Sequence, residues 1–515
     1  MTLVKMPLRI GREAMMRIEM VGKLLTGVAA LSLITGPATA ADAPASIPAT
    51  VSHQLQIGDR QMRYDASWSE HVLHGPDGAP EATVSGIAYV RKDVPAGVHR
   101  PVTIIFNGGP GASSSPLHLG LLGPNRMATQ GSGARQLMPG AGDAGSIKYV
   151  PNDETLLDVS DLLFVDPVAT GFSREIAYQG NTPYLNPWGD VESVEAFVRD
   201  WLRRNGREST PIFILGESYG GFRGGLLAGR LADLDLRGLI LISPGITLND
   251  RGDVDAVTLL PSLAEAAVAQ GRVAGNGRKP AEIFKEASDF AIGDYAAALA
   301  MGNMLDEVTR EQVASRMSAL VGLPKNVLIA AGLKIPAEEF IGKLVPDKLV
   351  SMLDSRVSSD VPKDSFSKDN AVNDPLLAMG MAKIKTSPDV SAYLTRQTGQ
   401  TFTEPYVTLS LDANFAFDWR SRAAGFDFNR KLSARDGIAL MAKKRPKSRI
   451  LVTGGYYDLA TPLFSTLYEV RHFNMSADRI EVAALEGGHT SYSGDEQREQ
   501  MSELLHDFVA KGMTQ

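Results

Sequence analysis

The sequence predicts an α/β fold with a mainly parallel central sheet, interrupted once by a mostly helical insertion. Three observations carry this. Apolar runs of strand length recur at 101–106, 162–168, 212–215, 238–243, 449–453 and 480–485. Such runs suit strands covered on both faces, as in parallel sheets. Helical patterns stand between or after them, at 191–202, from just after the third run to about Leu234, at 433–444, 466–473 and 494–511. Strand and helix stop alternating from about Asn249 to Phe428 and then resume, which divides one α/β unit into two parts around an insert.

In chain order, Arg9, Arg12, Arg17 and Lys23 precede an apolar run from Leu24 to Ile34, then Gly36-Pro37 and Ala38-Thr39-Ala40. This is the pattern of a signal peptide, with cleavage near Ala40 and the mature chain starting near Ala41. Initiation at Met15, Met16 or Met20 would shorten its basic region. The alternative, a retained anchor, is disfavoured because a bilayer span needs roughly 20 apolar residues. Residues 41–53 are a flexible lead-in, rich in Ala and Pro up to about Val51. From Gln54 to Asp93 alternation resumes around Met62, Tyr64 and Thr83–Val90, with turn residues at Gly75-Pro-Asp-Gly78, and predicts antiparallel strands. Residues 125–150 read as loop. The first core part therefore covers 54–248. The insertion, 249–428, carries helical patterns at 261–270, 280–301, 305–320 and 336–344, and is expected to cap the site. The second core part is 429–515, where Ser433 and Asp436 are spaced as a capping box.

Composition narrows the function. A chain of 515 residues can bury a large core, so the absence of cysteine costs it no necessary support. That absence excludes disulfides, thiol catalysis and cysteine metal sites, and suits a bacterial periplasm or culture medium better than a eukaryotic secretory lumen. A net charge of −7 without a basic run interleaved with aromatics argues against nucleic acid. No motif calls for a metal or cofactor. Monomer and homodimer both remain open.

The chemistry centres on Pro211-Ile-Phe-Ile-Leu-Gly-Glu-Ser-Tyr-Gly-Gly221. A buried strand ends in Gly-x-Ser-x-Gly and continues into a small-residue helix. This is a nucleophile elbow, in which a strained serine stands clear of the sheet edge. It makes Ser218 the candidate nucleophile and the α/β-hydrolase fold the expected architecture. In that fold the acid and the histidine follow the serine. Of eight histidines, five precede Ser218 and two fall in helical patterns, which leaves His489 in Glu486-Gly-Gly-His-Thr490 as the base. Asp458 is the first carboxylate after the 449–453 strand and is the candidate orienting acid, with Glu486 its rival. Oxyanion donors are expected from the Tyr219 amide and from the glycine loop Asn107-Gly108-Gly109-Pro110-Gly111. That loop lacks the Gly-Lys-Ser/Thr of a phosphate cradle.

Asn107-Gly-Gly-Pro-Gly-x-Ser-Ser114, Phe164-Val-Asp-Pro-Val-Ala-Thr-Gly-Phe-Ser173, Gly216-Glu-Ser-Tyr-Gly-Gly221, Gly455-x-x-Asp458 and Gly488-His489 together resemble the serine carboxypeptidases, as an exported bacterial member. The resemblance covers about 60–248 and 430–510. It implies release of C-terminal residues from peptides through an acyl-enzyme formed on Ser218, with His489 and Asp458 completing the triad and the Gly109 and Tyr219 amides as the oxyanion hole. It also implies that Asn107, Gly108 and Glu217 bind the substrate's terminal carboxylate. The family pairs that glutamate with a second one, and here Leu121 stands in its place. Ile105, Ala112 and Gly-His-Thr-Ser-Tyr492 are further departures, for the family's tryptophan, cysteine and Gly-His-Met-Val-Pro. Two other readings compete: an α/β-hydrolase of another activity (esterase, aminopeptidase or acyltransferase), which Leu121 favours, and a non-catalytic binding protein, which the complete triad disfavours.

Overall fold

The computed structural model describes residues 50–95, 97–128, 147–176, 183–361, 373–377, 384–419 and 432–514. The signal-peptide reading of 1–40 lies outside them. The lead-in reading needs correction at its end. Strand β1 (Thr50–Ile57) already includes Thr50 to His53, because it pairs antiparallel with the whole start of β2 (Arg60–His74). Strand β3 (Pro80–Arg91) continues this antiparallel ribbon.

The sheet then becomes parallel. Its remaining strands are β4 (Val102–Phe106), β5 (Asp161–Asp166), β6 (Ile212–Glu217), β7 (Leu236–Ile242), β8 (Arg449–Gly455) and β9 (Ile480–Leu485), in the order β1-β2-β3-β5-β4-β6-β7-β8-β9. The β5 edge meets β3 antiparallel, and every later pairing is parallel. Every residue of β4, β5 and β6 is buried, as their unbroken apolar runs require.

Helices cover both faces. On one lie α1 (Pro187–Arg204), begun by an Asn186 cap, and α2 (Tyr219–Arg230). The other is covered by Leu119, Leu121 and Leu122 from the wide helical turn His118–Leu122, and by Met501, Leu505 and Phe508 from the C-terminal helix Asp495–Met513. The insertion opens with α3 (Asp253–Ala269), α4 (Pro280–Phe290) and α5 (Glu307–Val321), followed by short helices to Lys343. Their apolar faces form a core of their own, which Leu459, Leu463 and Phe464 join.

Several expectations need revision. Pro261 lies inside α3 rather than at its start: eight residues precede it in the helix, and the proline is buried there. Among the described residues after Lys343, the insertion is no longer mostly helical. Lys348–Val350 pairs with Ser358–Asp360, and Ile384–Thr386 with Val407–Ser410. Helix α6 (Pro388–Thr398) packs Val390, Tyr393 and Leu394 into the main core beside Leu55 and Tyr64. Helix α7 (Arg435–Lys444) starts after Ala434, so the Ser433–Asp436 capping box does not form. Ser433 Oγ lies 2.9 Å from Thr247 Oγ1 instead. Within 125–150, Asn125–Met127 pairs with Tyr149–Pro151. Among the described residues, no helix is long and apolar enough to cross a membrane.

Candidate active site

The site gathers at the carboxyl ends of β4, β6, β8 and β9, where such sheets leave a crevice. After β6 the chain turns through Ser218 at φ +62°. Few side chains tolerate that conformation, and strain of this kind concentrates at functional positions. The turn is tight enough that a Cβ on Gly216 would stand 2.1 Å from Gly220 O. Tyr219 then opens α2, so its N–H is one of those for which a helix supplies no acceptor.

The loop after β4 leans on this elbow. A Cβ on Gly108 would lie 2.5 Å from Tyr219 N and 2.8 Å from Glu217 O, so only glycine fits. Two devices hold the loop. Beneath it, Arg223 Nη1 donates to Asn107 O (2.7 Å), while Arg223 Nε and Nη2 grip Asp190 (2.8 and 3.0 Å). Asp190 also accepts from the Tyr219 hydroxyl at 3.0 Å. On its other side lies the 407–414 segment. Ser113 N donates to Thr408 O (3.1 Å), Ser410 N to Gly111 O (2.8 Å) and Asn414 Nδ2 to Pro110 O (2.9 Å).

Asp458 follows β8 and is fully buried. Its Oδ1 accepts from the amides of Ala460 and Thr461 (2.8 and 2.9 Å), and Thr461 Oγ1 donates to Oδ2 at 2.6 Å. That same Oδ2 lies 2.8 Å from His489 Nδ1. The carboxylate draws the ring proton to Nδ1 and leaves Nε2 as the basic atom. Glu486, the rival acid, has an exposed side chain. Burial works against charging the His489 ring, but the carboxylates of Asp458 and Glu217 outweigh it, and the pKa is raised above its ordinary 6.5.

Glu217 is buried beside the serine. Asn107 Nδ2 donates to its Oε2 at 2.6 Å and Tyr492 OH to the same oxygen at 2.9 Å, while Thr490 Oγ1 reaches Oε1 at 3.4 Å. Burial raises the Glu217 pKa above the usual carboxylate value, against the opposing pull of His489 and these three donors. Leu121 points into the main core, with no exposure.

Asn107, Gly108, Gly109, Glu217, Ser218, His489 and Thr490 line one cavity of about 210 Å³. Its apolar walls are Leu353, Leu377, Leu409 and Leu411, and no lysine or arginine is among its described lining residues. Among the described residues, no cluster of His, Cys, Asp and Glu could hold a metal ion.

The structure thus brings Asn107, Gly108, Gly109, Glu217, Ser218 and His489 to one cavity. Asp458 stands behind His489, and the Tyr219 amide lies against Gly108. Sequence reasoning missed Thr461, Arg223 with Asp190, and the 407–414 wall. Thr490 and Tyr492 were visible only as departures in Gly-His-Thr-Ser-Tyr492. The signal for Thr461 was its spacing, three residues beyond Asp458, where a threonine can cap the turn.

Residues 91–234 match the family model described as serine carboxypeptidase. A curated relative, serine carboxypeptidase-like 36 of Arabidopsis thaliana, is 30% identical over 179 residues. The alignment spans 32% of each chain, so this chain covers only about a third of that relative's length. A prohormone-processing carboxypeptidase from Saccharomyces cerevisiae shares the fold at a TM-score of 0.52 and 14% identity, over 87% of this chain and 91% of that one. The chain therefore has an α/β-hydrolase fold and matches the serine carboxypeptidase family model over residues 91–234, the part that holds the glycine loop and the elbow.

Proposed function

We propose that this protein is an exported serine carboxypeptidase, which removes C-terminal residues from peptides. The observation that carries the reading is the meeting of Ser218, the His489–Asp458 pair and the Asn107–Glu217 pair at one small cavity. Ser218 Oγ attacks the last peptide carbonyl while His489 Nε2 takes the serine proton. The Gly109 and Tyr219 amides hold the oxyanion. Collapse breaks the C–N bond, and His489 returns the proton to the departing amine. Water, deprotonated by His489, then hydrolyses the Ser218 ester and frees the shortened peptide. Asp458 holds the ring in the required tautomer and stabilises its charged form.

Exopeptidase selectivity falls to Asn107, Gly108 and Glu217, which receive the terminal carboxylate. With no lysine or arginine among the described residues of the wall, that carboxylate is received there by neutral donors and whatever proton Glu217 carries. The leucine walls favour apolar side chains at the cleavage point. Leu121 supports a second reading, a hydrolase of another specificity, because it stands where the resemblance expects the acid that pairs with Glu217.

Digestion of a mixed peptide library separates these readings. Wild type is expected to generate ladders that shorten from the C terminus, fastest at apolar residues, and Ser218→Ala none. Ester cleavage without ladders would reject the carboxypeptidase. Gly108→Ala pushes the loop off the elbow, and kcat is expected to fall about 10²–10³-fold. On a blocked ester, kcat/KM should rise with pH through the His489 titration, with a midpoint above 6.5. Asp458→Asn removes the neighbouring charge that raises this pKa, so the midpoint should move to lower pH while kcat falls about 10⁴-fold. Export with cleavage predicts a mature N-terminus at Ala41, readable by N-terminal sequencing of the secreted or periplasmic protein.

A further inference from the structure

Tyr492 has no part in the steps above. It is 2% exposed and forms none of the cavity wall, yet its hydroxyl donates to Glu217 Oε2. Its ring belongs to the same core cluster as Leu121, and a Cβ on the neighbouring Gly120 would lie 3.5 Å from that ring. A phenol therefore reaches Glu217 beside the turn that carries Leu121.

The two oxygens of Glu217 are treated differently. Oε2 takes both Tyr492 OH and Asn107 Nδ2, which occupy the two lone pairs of a carboxyl oxygen. Among the described residues, Oε1 has only the longer hydrogen bond from Thr490, a residue of the cavity wall. The groups facing Glu217 are Asn107 after β4, Thr490 and Tyr492 after β9, and the titratable His489 with Asp458 behind it.

We propose that Tyr492 is a positioning residue: with Asn107 it fills Oε2, so that the proton of Glu217 resides on Oε1 and is offered to a substrate carboxylate. This rests on the carboxypeptidase reading and gives it a mechanism without a second acid. A terminal carboxylate binds while Glu217 is protonated, and is repelled once Glu217 ionises in a site whose described wall carries no lysine or arginine. Because the phenol also stabilises the ionised form, removing it makes Glu217 keep its proton to higher pH.

The test compares a blocked dipeptide acid with its C-terminal amide and follows KM(amide)/KM(acid) against pH. In wild type this ratio should be high in acid and fall as Glu217 loses its proton. In Tyr492→Phe, which conserves shape, the midpoint of the fall should move upward by about one pH unit. An unmoved or lowered midpoint overturns the role of Tyr492 while leaving the carboxypeptidase intact. A wild-type ratio near one at every pH overturns both. Should Tyr492→Phe fail to fold, Glu217→Gln decides. Its carbonyl would accept from Tyr492 and Asn107 and leave its N–H₂ in the place of the proton. The ratio should then stay high and stop varying with pH, and a low ratio, or one that still titrates, overturns the proposal.

Discussion

The arrangement depends on one buried ion pair. Arg223 is 1% exposed, and its guanidinium joins three parts of the chain: α2, on which it sits, Asp190 in α1, and the carbonyl of Asn107 at the end of β4. A buried guanidinium is tolerable only when its donors are met, and removing one partner of such a pair typically costs about 3–5 kcal/mol. The elbow and the glycine loop are therefore held together by a contact with little freedom to loosen. Tyr219 adds to this, since its hydroxyl bonds to Asp190 while its amide opens the helix.

Around this anchor, two ionisable groups have opposite needs. On the proposed mechanism, His489 must be neutral to accept a proton, whereas Glu217 must be protonated to receive a carboxylate. Each lies in the other's field: Glu217 helps to raise His489, while His489 pulls against the burial that raises Glu217. On that mechanism the working state of the two groups carries one proton, on Glu217. Neutral donors around Glu217 and the charge of Asp458 beside His489 set how often that state is populated.

Much of the site was legible because its demands are local. A left-handed serine between glycines, a glycine loop after a buried strand, and an acid and a histidine after late strands all leave marks a few residues long. What stayed hidden was tertiary. The 407–414 segment looks like any short apolar stretch until it lies on Gly111 and Pro110. Pro261 suggested a helix start, yet the helix extends eight residues before it. Tyr492 and Thr490 were visible only as departures, because their meaning lies in the distance to Glu217.

The sheet also has a bearing on how the chain comes to its final state. Strand β8 lies between β7 and β9, yet everything from Ser243 to Ser448 separates it from β7. A chain emerging N-terminus first can complete the elbow and the glycine loop long before Asp458 and His489 exist. Pairings so distant in sequence form late, since closing a long loop precedes any gain from the contact. The last strands to dock are those that bring the proposed base, so the serine stays unactivated until the core has closed around it.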